Sequence, residues 1–315
     1  MFLEDYKGAY PRPDDFDTYW DKQLKFIESI PLKYNLERAE EYNFSDIEYF
    51  HLTFESFDGA SIYSKLIKPK TSKKLPALFY FHGYPGCSRN WFKKSAFCSL
   101  GYASFAMDFR GQGGRSEDIG GIKGTTVAGH IVAGLDDSLD NMLYRKNILD
   151  VCLLIRIAKD LDFIDENNIN CAGGSQGGAF SVICAGLNPD IKKCIIQYPF
   201  LSDMKKVYDM DLDLLAYEGL RYYARWFNNT GEHDEKFFKR LAYIDTKNFA
   251  PRIKADVLFA GSKIDLVCPI PTQYAVYNNI KSKKKMILYK KFAHERMPDF
   301  NDKMLEFLLA NNKGV

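Results

Sequence analysis

The residues best suited to chemistry lie in Gly173-Gly174-Ser175-Gln176-Gly177, a G-x-S-x-G pattern. A short apolar-polar run precedes them, and the apolar run Ala179 to Leu187 follows. That order predicts a strand, a sharp turn with a serine at its apex, and a buried helix. Neighbours without side chains let such a turn close and let a substrate approach the hydroxyl. The first free N–H groups of the helix then aim at the place where an oxyanion would form. An ordinary glycine-rich turn spells the same five letters, so the rest of the chain has to supply the partners.

A serine hydroxyl is a weak nucleophile until a base takes its proton, and the base must be oriented by a third group. After such an elbow the acid and then the histidine are expected in loops that follow later strands. Of the five histidines, His51, His82, His130, His233 and His294, two follow Ser175. His233 sits in a polar turn with no strand ahead of it and reads as exposed surface. His294 follows the strand-like run Met286 to Tyr289 by a short loop, which makes it the base. Asp265, in the loop after the run Val257 to Ala260, is favoured as the orienting acid. Asp203, after the run Cys194 to Gln197, stays open as an alternative, whereas Asp256 precedes its strand and belongs at the wrong edge. Two N–H donors are needed about 3 Å from the developing charge. One is expected from Gln176 and the other from the loop His82-Gly83-Tyr84-Pro85-Gly86. Because Pro85 has no N–H, Tyr84 is favoured as that second donor. His82 is expected to pack or to bond the backbone.

The elements that must position these groups follow from periodicity. Phe16 to Ile30 shows helical spacing within an N-terminal arm covering residues 1–45. Tyr49 to Phe57 and Ser61 to Ile67 alternate with period two around Asp58-Gly59, a hairpin signal. Leu75 to Phe81 and Tyr102 to Met107 read as strands buried on both faces. Residues 111–140 form a Gly- and Asp-rich insertion expected to shape a pocket, and Tyr144 to Leu161 an amphipathic helix. Residues 203–250 are helical and aromatic-rich, as in an inserted cap, and helices at 272–280 and 299–310 finish the chain. Strands alternating with helices imply an α/β protein, a single domain with a mostly parallel sheet and helices on both faces.

Composition narrows the function classes. The chain has 315 residues, with 43 Lys+Arg against 41 Asp+Glu, so no global field draws nucleic acid or an anionic membrane. No apolar run approaches the roughly 18–20 residues of a membrane span. The opening Met1-Phe2-Leu3-Glu4-Asp5 is acidic and lacks the order of a signal peptide. Seven cysteines, several inside apolar runs, behave as small hydrophobes and favour a reducing interior, so the expected location is cytoplasmic. No spacing suggests a zinc site.

Three segments taken together carry a resemblance: Arg110-Gly111-Gln112 after the strand at 102–107, Gly173 to Gly177 reading G-G-S-Q-G, and His294-Glu295 after the last strand. Along with Asp14 to Trp20, Tyr198 to Leu201 and Asp265 to Pro269, they resemble the acetyl xylan esterase and cephalosporin C deacetylase family, carbohydrate esterase family seven. The resemblance implies an α/β-hydrolase fold, the triad Ser175, Asp265 and His294, and oxyanion donors at Tyr84 and Gln176. It also implies supporting roles for Arg110, Gln112 and Glu295. It further implies deacetylation of small acetylated substrates without metal or organic cofactor, and a homo-oligomer, commonly a hexamer. The sequence departs from the family pattern at Arg296-Met297, at Pro269-Ile270-Pro271, and at Arg115, Glu117 and Asp118. These departures bear on substrate preference more than on reaction type.

Overall fold

The computed structural model describes residues 3–42, 44–121 and 129–310. Nine strands form one sheet: β1 Tyr34–Arg38, β2 Ile47–Glu55, β3 Ser61–Pro69, β4 Leu75–Phe81, β5 Ala103–Met107, β6 Ile164–Gly174, β7 Ile191–Gln197, β8 Asp256–Ser262 and β9 Lys284–Tyr289. Their spatial order is β1-β2-β3-β5-β4-β6-β7-β8-β9. The pairs from β1 to β5 along that edge are antiparallel, and those from β5 to β9 are parallel. The helices are α1 Phe16–Ser29, α2 Phe92–Cys98, α3 Leu143–Asp160, α4 Gln176–Leu187, α5 Met204–Asp209, α6 Glu218–Phe227, α7 Asp234–Leu241, α8 Thr246–Phe249, α9 Ile270–Asn279 and α10 Phe300–Leu309.

Strand alternation sorts the side chains into two layers. Phe79, Cys171, Ile196 and Phe259 face the large core packed by α1, α3, α4 and α9. Their neighbours Leu78, Ala172, Ile195 and Leu258 face a smaller core closed by Phe97 of α2 and by Phe300 and Leu308 of α10. Burial on both faces is why the central strands carry little polarity. This is the mostly parallel α/β sheet, covered on both sides, that the alternation of elements predicts, and it is the α/β-hydrolase fold.

The differences from the sequence reading are local. The N-terminal segment carries a strand, β1, as well as a helix. It is five residues long, lies at the sheet edge and is nowhere fully buried, so its alternation is faint. Helix α2 is seven residues long and spans less than two full turns. The stretch 203–250, expected to be helical, does carry four helices, α5 to α8, between β7 and β8. Of the 111–140 stretch, residues 122–128 lie outside the described residues. Its start is tied back to β3, where Ser61 N–H donates to Glu117 at 2.9 Å and the Arg115 guanidinium lies 4.2 Å from the Tyr63 ring centroid.

Candidate active site

The parallel strands β4 to β9 end at one edge of the sheet, where side chains from three connections converge. Ser175 caps the tight turn between β6 and α4 with φ 57° and ψ −120°. Positive φ is costly for a residue with a Cβ, and surrounding bonds hold it there. Ser175 N–H donates to Gln197 O at 3.1 Å, and Ser175 O accepts from Ala179 N–H and Phe200 N–H. The glycines are required by proximity: a Cβ on Gly177 would sit 2.2 Å from Phe81 O, and one on Gly173 2.5 Å from Gly177.

His294, in the turn after β9, lies 3.0 Å from Ser175 Oγ through Nε2 and 2.8 Å from Asp265 Oδ2 through Nδ1. Asp265 is held by its own loop, since Oδ1 accepts from the N–H groups of Val267 and Cys268, each at 2.8 Å. Gln273 at the start of α9 ties that loop to β8 by donating to Cys268 O at 2.6 Å and accepting from Ser262 N–H at 2.9 Å. The His294 turn is fixed from both sides. Ser262 Oγ–H donates to Ala293 O at 2.5 Å, and the exposed Glu295 accepts from Ala293 N–H at 3.0 Å. The Tyr198 ring lies 4.6 Å from the imidazole, between centroids.

Asp203, the other acid open in the sequence, is used elsewhere. It accepts from Tyr6 OH at 2.5 Å and from Ala9 N–H at 2.9 Å, anchoring the N-terminal segment. Burial, reinforced by the neighbouring Asp245, lifts its carboxyl to about 6. Asp256 opens β8 at the opposite end of the strand and faces Lys283 at 3.2 Å. His233 is exposed at the start of α7.

Of the two donors expected from the sequence, Gln176 directly follows Ser175, and Tyr84 adjoins Gly83, where a Cβ would lie 3.9 Å from Ser175 Cβ. Among the described residues, no hydrogen bond within the chain engages the N–H of Tyr84 or of Gln176. Their surroundings are rigid. The buried Gln176 side chain accepts from Tyr144 OH and Gln112 Nε2, each at 2.8 Å, and donates to Gln112 Oε1 at 3.1 Å. Gln112 in turn accepts from Gly86 N–H at 3.3 Å. The Tyr84 hydroxyl pairs with His130 Nδ1 at 2.9 Å, and its ring stacks near Phe200. His82 bonds Gly83 O through Nδ1 and accepts from Phe109 N–H through Nε2. Nε2 accepts, so Nδ1 carries the proton, and burial pushes the imidazole down to about 4. His82 is thus a neutral brace for the loop bearing Tyr84.

Arg110 lies fully buried, away from the reacting groups. Its guanidinium pairs bidentately with Asp150 of α3 at 2.6 and 2.9 Å and with Asp58 of the β2–β3 turn at 2.7 and 2.9 Å. Burial opposes ionisation of Asp58, and the guanidinium more than offsets it, so that carboxyl falls below its ordinary value. Sequence reasoning did not find Asp58, Asp150, Tyr144 or His130 as supports, because they come from distant segments. The one grouping among the described residues in which three His, Cys, Asp or Glu side chains could close on a cation is Asp265, Cys268 and His294.

Fold and site together define a protein of the α/β-hydrolase class, with a serine, a histidine and an aspartate aligned at the carboxyl ends of its strands. Residues 2–311 match the model of the acetyl xylan esterase (AXE1) family, and the chain belongs to that family. The structure is similar to acetyl xylan esterase 1 from Thermoanaerobacterium sp. JW/SL YS485, with 44% identity, a TM-score of 0.95, and 98% of this chain and 97% of that one covered. It is also similar to the acetyl xylan esterase from Paenibacillus sp. R4, with 28% identity, a TM-score of 0.93 and 98% of each chain covered. Acetyl esterase Axe7A from Xylanibacter ruminicola is 29% identical over 285 residues, 88% of this chain. The chain spans 62% of the length of that relative.

Proposed function

We propose that this protein is a serine esterase that removes acetyl groups from small acetylated substrates, acetylated xylo-oligosaccharides and cephalosporin C-like esters among them. The observation that carries the reading is the line from Ser175 Oγ to His294 Nε2 at 3.0 Å and from His294 Nδ1 to Asp265 at 2.8 Å. His294 takes the Ser175 proton as the hydroxyl attacks the acetyl carbonyl. Asp265 fixes the tautomer and stabilises the imidazolium. The N–H groups of Tyr84 and Gln176 receive the tetrahedral oxyanion, each worth about 3–4 kcal/mol. His294 then protonates the departing alcohol, and water repeats the sequence on the acetyl-serine to release acetate. Arg110, Gln112 and Glu295 support this line without touching the reacting atoms.

The half-buried aromatic wall of Tyr84 and Tyr198, with the buried Phe200 behind it, supports a short acyl group. The helices between β7 and β8 are read as a cap, because Tyr217 from that segment packs on Phe200 with ring centroids 4.5 Å apart. The seven free cysteines support a cytoplasmic setting. Among the described residues no helix is long and apolar enough to cross a membrane. A homohexamer is the assembly carried by the resemblance, and the exposed Leu215 and Trp226 of the cap segment are apolar surface that an assembly would cover. Acetate release measured on acetylated xylo-oligosaccharides, cephalosporin C and acetylated monosaccharides tests the function, alongside p-nitrophenyl esters of increasing acyl length. The expected result is acetyl preference with a steep loss by butyrate. Equal turnover along the series would instead define a broad carboxylesterase.

A further inference from the structure

Cys268 stands apart from the other buried cysteines. Cys152, Cys171, Cys184, Cys194 and Cys268 itself all lie in the large apolar core, where a thiol serves as a small hydrophobe. Cys268 is equally buried, but it lies beside the proposed catalytic line: its own N–H holds Asp265 Oδ1 at 2.8 Å. The acyl transfer described above gives this thiol nothing to do. Its sulfur, a carboxylate oxygen of Asp265 and a ring nitrogen of His294 all lie within 4.8 Å of one another.

We propose that Asp265, Cys268 and His294 form an inhibitory site for a thiophilic divalent cation such as Zn²⁺ or Cd²⁺. Sulfur, imidazole nitrogen and carboxylate oxygen are the donors such cations select, at about 2.0–2.3 Å from the metal, which sets ligand atoms about 3.3–3.8 Å apart. No pair has to close by more than about 1 Å to come within 3.8 Å, and where the metal takes Nδ1 the Asp265–His294 hydrogen bond of 2.8 Å opens by about 0.5 Å. The cation enters from the partly open side formed by Ser175 and His294. The Cys268 thiol releases its proton to solvent and a sulfur–metal bond forms. Thiolate and carboxylate together balance the two positive charges, and no electron is transferred. An imidazole nitrogen becomes a ligand, with water or Ser175 Oγ in the fourth position. The histidine can then no longer both accept the serine proton and lean on Asp265, and turnover stops. Mg²⁺ and Ca²⁺, which prefer oxygen donors, leave the site alone.

The effect on turnover rests on the catalytic reading of Ser175, His294 and Asp265; the binding does not. The test uses the full chain in a Cys87→Ser background, which removes the one partly exposed thiol. Cd²⁺ is titrated while the ultraviolet cadmium–thiolate absorbance is followed, and Zn²⁺ is titrated against p-nitrophenyl acetate hydrolysis. The expected result is a saturable absorbance band and a matching loss of activity that chelator reverses. Both should be weakened in Cys268→Ala and Cys268→Ser, each judged against its own metal-free rate. Altering even an outer-shell partner costs about 10–100-fold in metal affinity, so loss of a direct ligand should raise the inhibitory Zn²⁺ concentration at least that much. Equal Zn²⁺ sensitivity in a folded Cys268 variant, or no thiolate band in the parent protein, overturns the proposal. Ser175→Ala separates the two readings. A retained band with full activity refutes the catalytic reading alone, and an absent band in an active parent refutes the metal site alone.

Discussion

Gln176 and Gln112 exchange side-chain amide hydrogen bonds, at 2.8 Å in one direction and 3.1 Å in the other. The pair joins the first residue of the helix after Ser175 to the loop after β5, and Gln112 also receives the N–H of Gly86 from the loop that bears Tyr84. Both proposed oxyanion donors are therefore referenced to one side chain, that of Gln112. Replacing Gln112 with Ala should loosen both donors without deleting either. Losing a donor outright costs about 10²–10³ in kcat, so a fall of roughly tenfold is expected here, with KM little changed. Steady-state kinetics on p-nitrophenyl acetate check this; an unchanged kcat would show that the amide pair is dispensable.

Arg110 does its work at a distance from the site. Its removal strands the fully buried Asp150 without a countercharge, so Arg110→Met should destabilise the fold by about 3–5 kcal/mol. Arg110→Lys should recover only part of this, since an ammonium cannot serve two carboxylates in a planar fork. Urea unfolding of both variants measures the cost. A loss below about 1 kcal/mol would mean that Asp150 is neutralised in another way.

His82 supplies a pH signature. Burial depresses its folded value to about 4 from an ordinary 6.5. Between those limits the unfolded chain binds a proton that the folded chain refuses. The contribution is thus fully present above about 6.5 and is lost as pH falls toward 4. The gap corresponds to roughly 3 kcal/mol. Denaturation midpoints of the parent and of His82→Asn, compared from pH 7 to pH 4, should converge as the pH falls. A constant difference across that range would rule out a neutral, buried imidazole as the cause.

The sequence was most legible where chemistry demands unusual local spelling. The glycines around Ser175 are dictated by contacts of 2.2–2.5 Å that no Cβ survives. Asp265 and His294 were readable because each follows a short apolar run ending at the same sheet edge. Loop position favoured Asp265 but left Asp203 open, and only the fold shows that Tyr6 and Ala9 claim Asp203. Sequence periodicity carries no information about the Arg110 pairing, whose partners lie 40 and 52 positions away in a helix and a hairpin turn. Strand β1 escaped for a different reason: a five-residue edge strand buries too little to write a clear alternation. Cys268 was not singled out in the sequence, and only the fold sets it beside an imidazole and a carboxylate.

The central claim is that Ser175 is the nucleophile served by His294. A fluorophosphonate probe followed by peptide mapping, with p-nitrophenyl acetate turnover measured on the parent and on Ser175→Ala, addresses it most directly. The account predicts a single adduct on Ser175, together with loss of turnover and of labelling in a variant that keeps the parent's circular dichroism. Substantial turnover by folded Ser175→Ala, or an adduct on another residue, would contradict it.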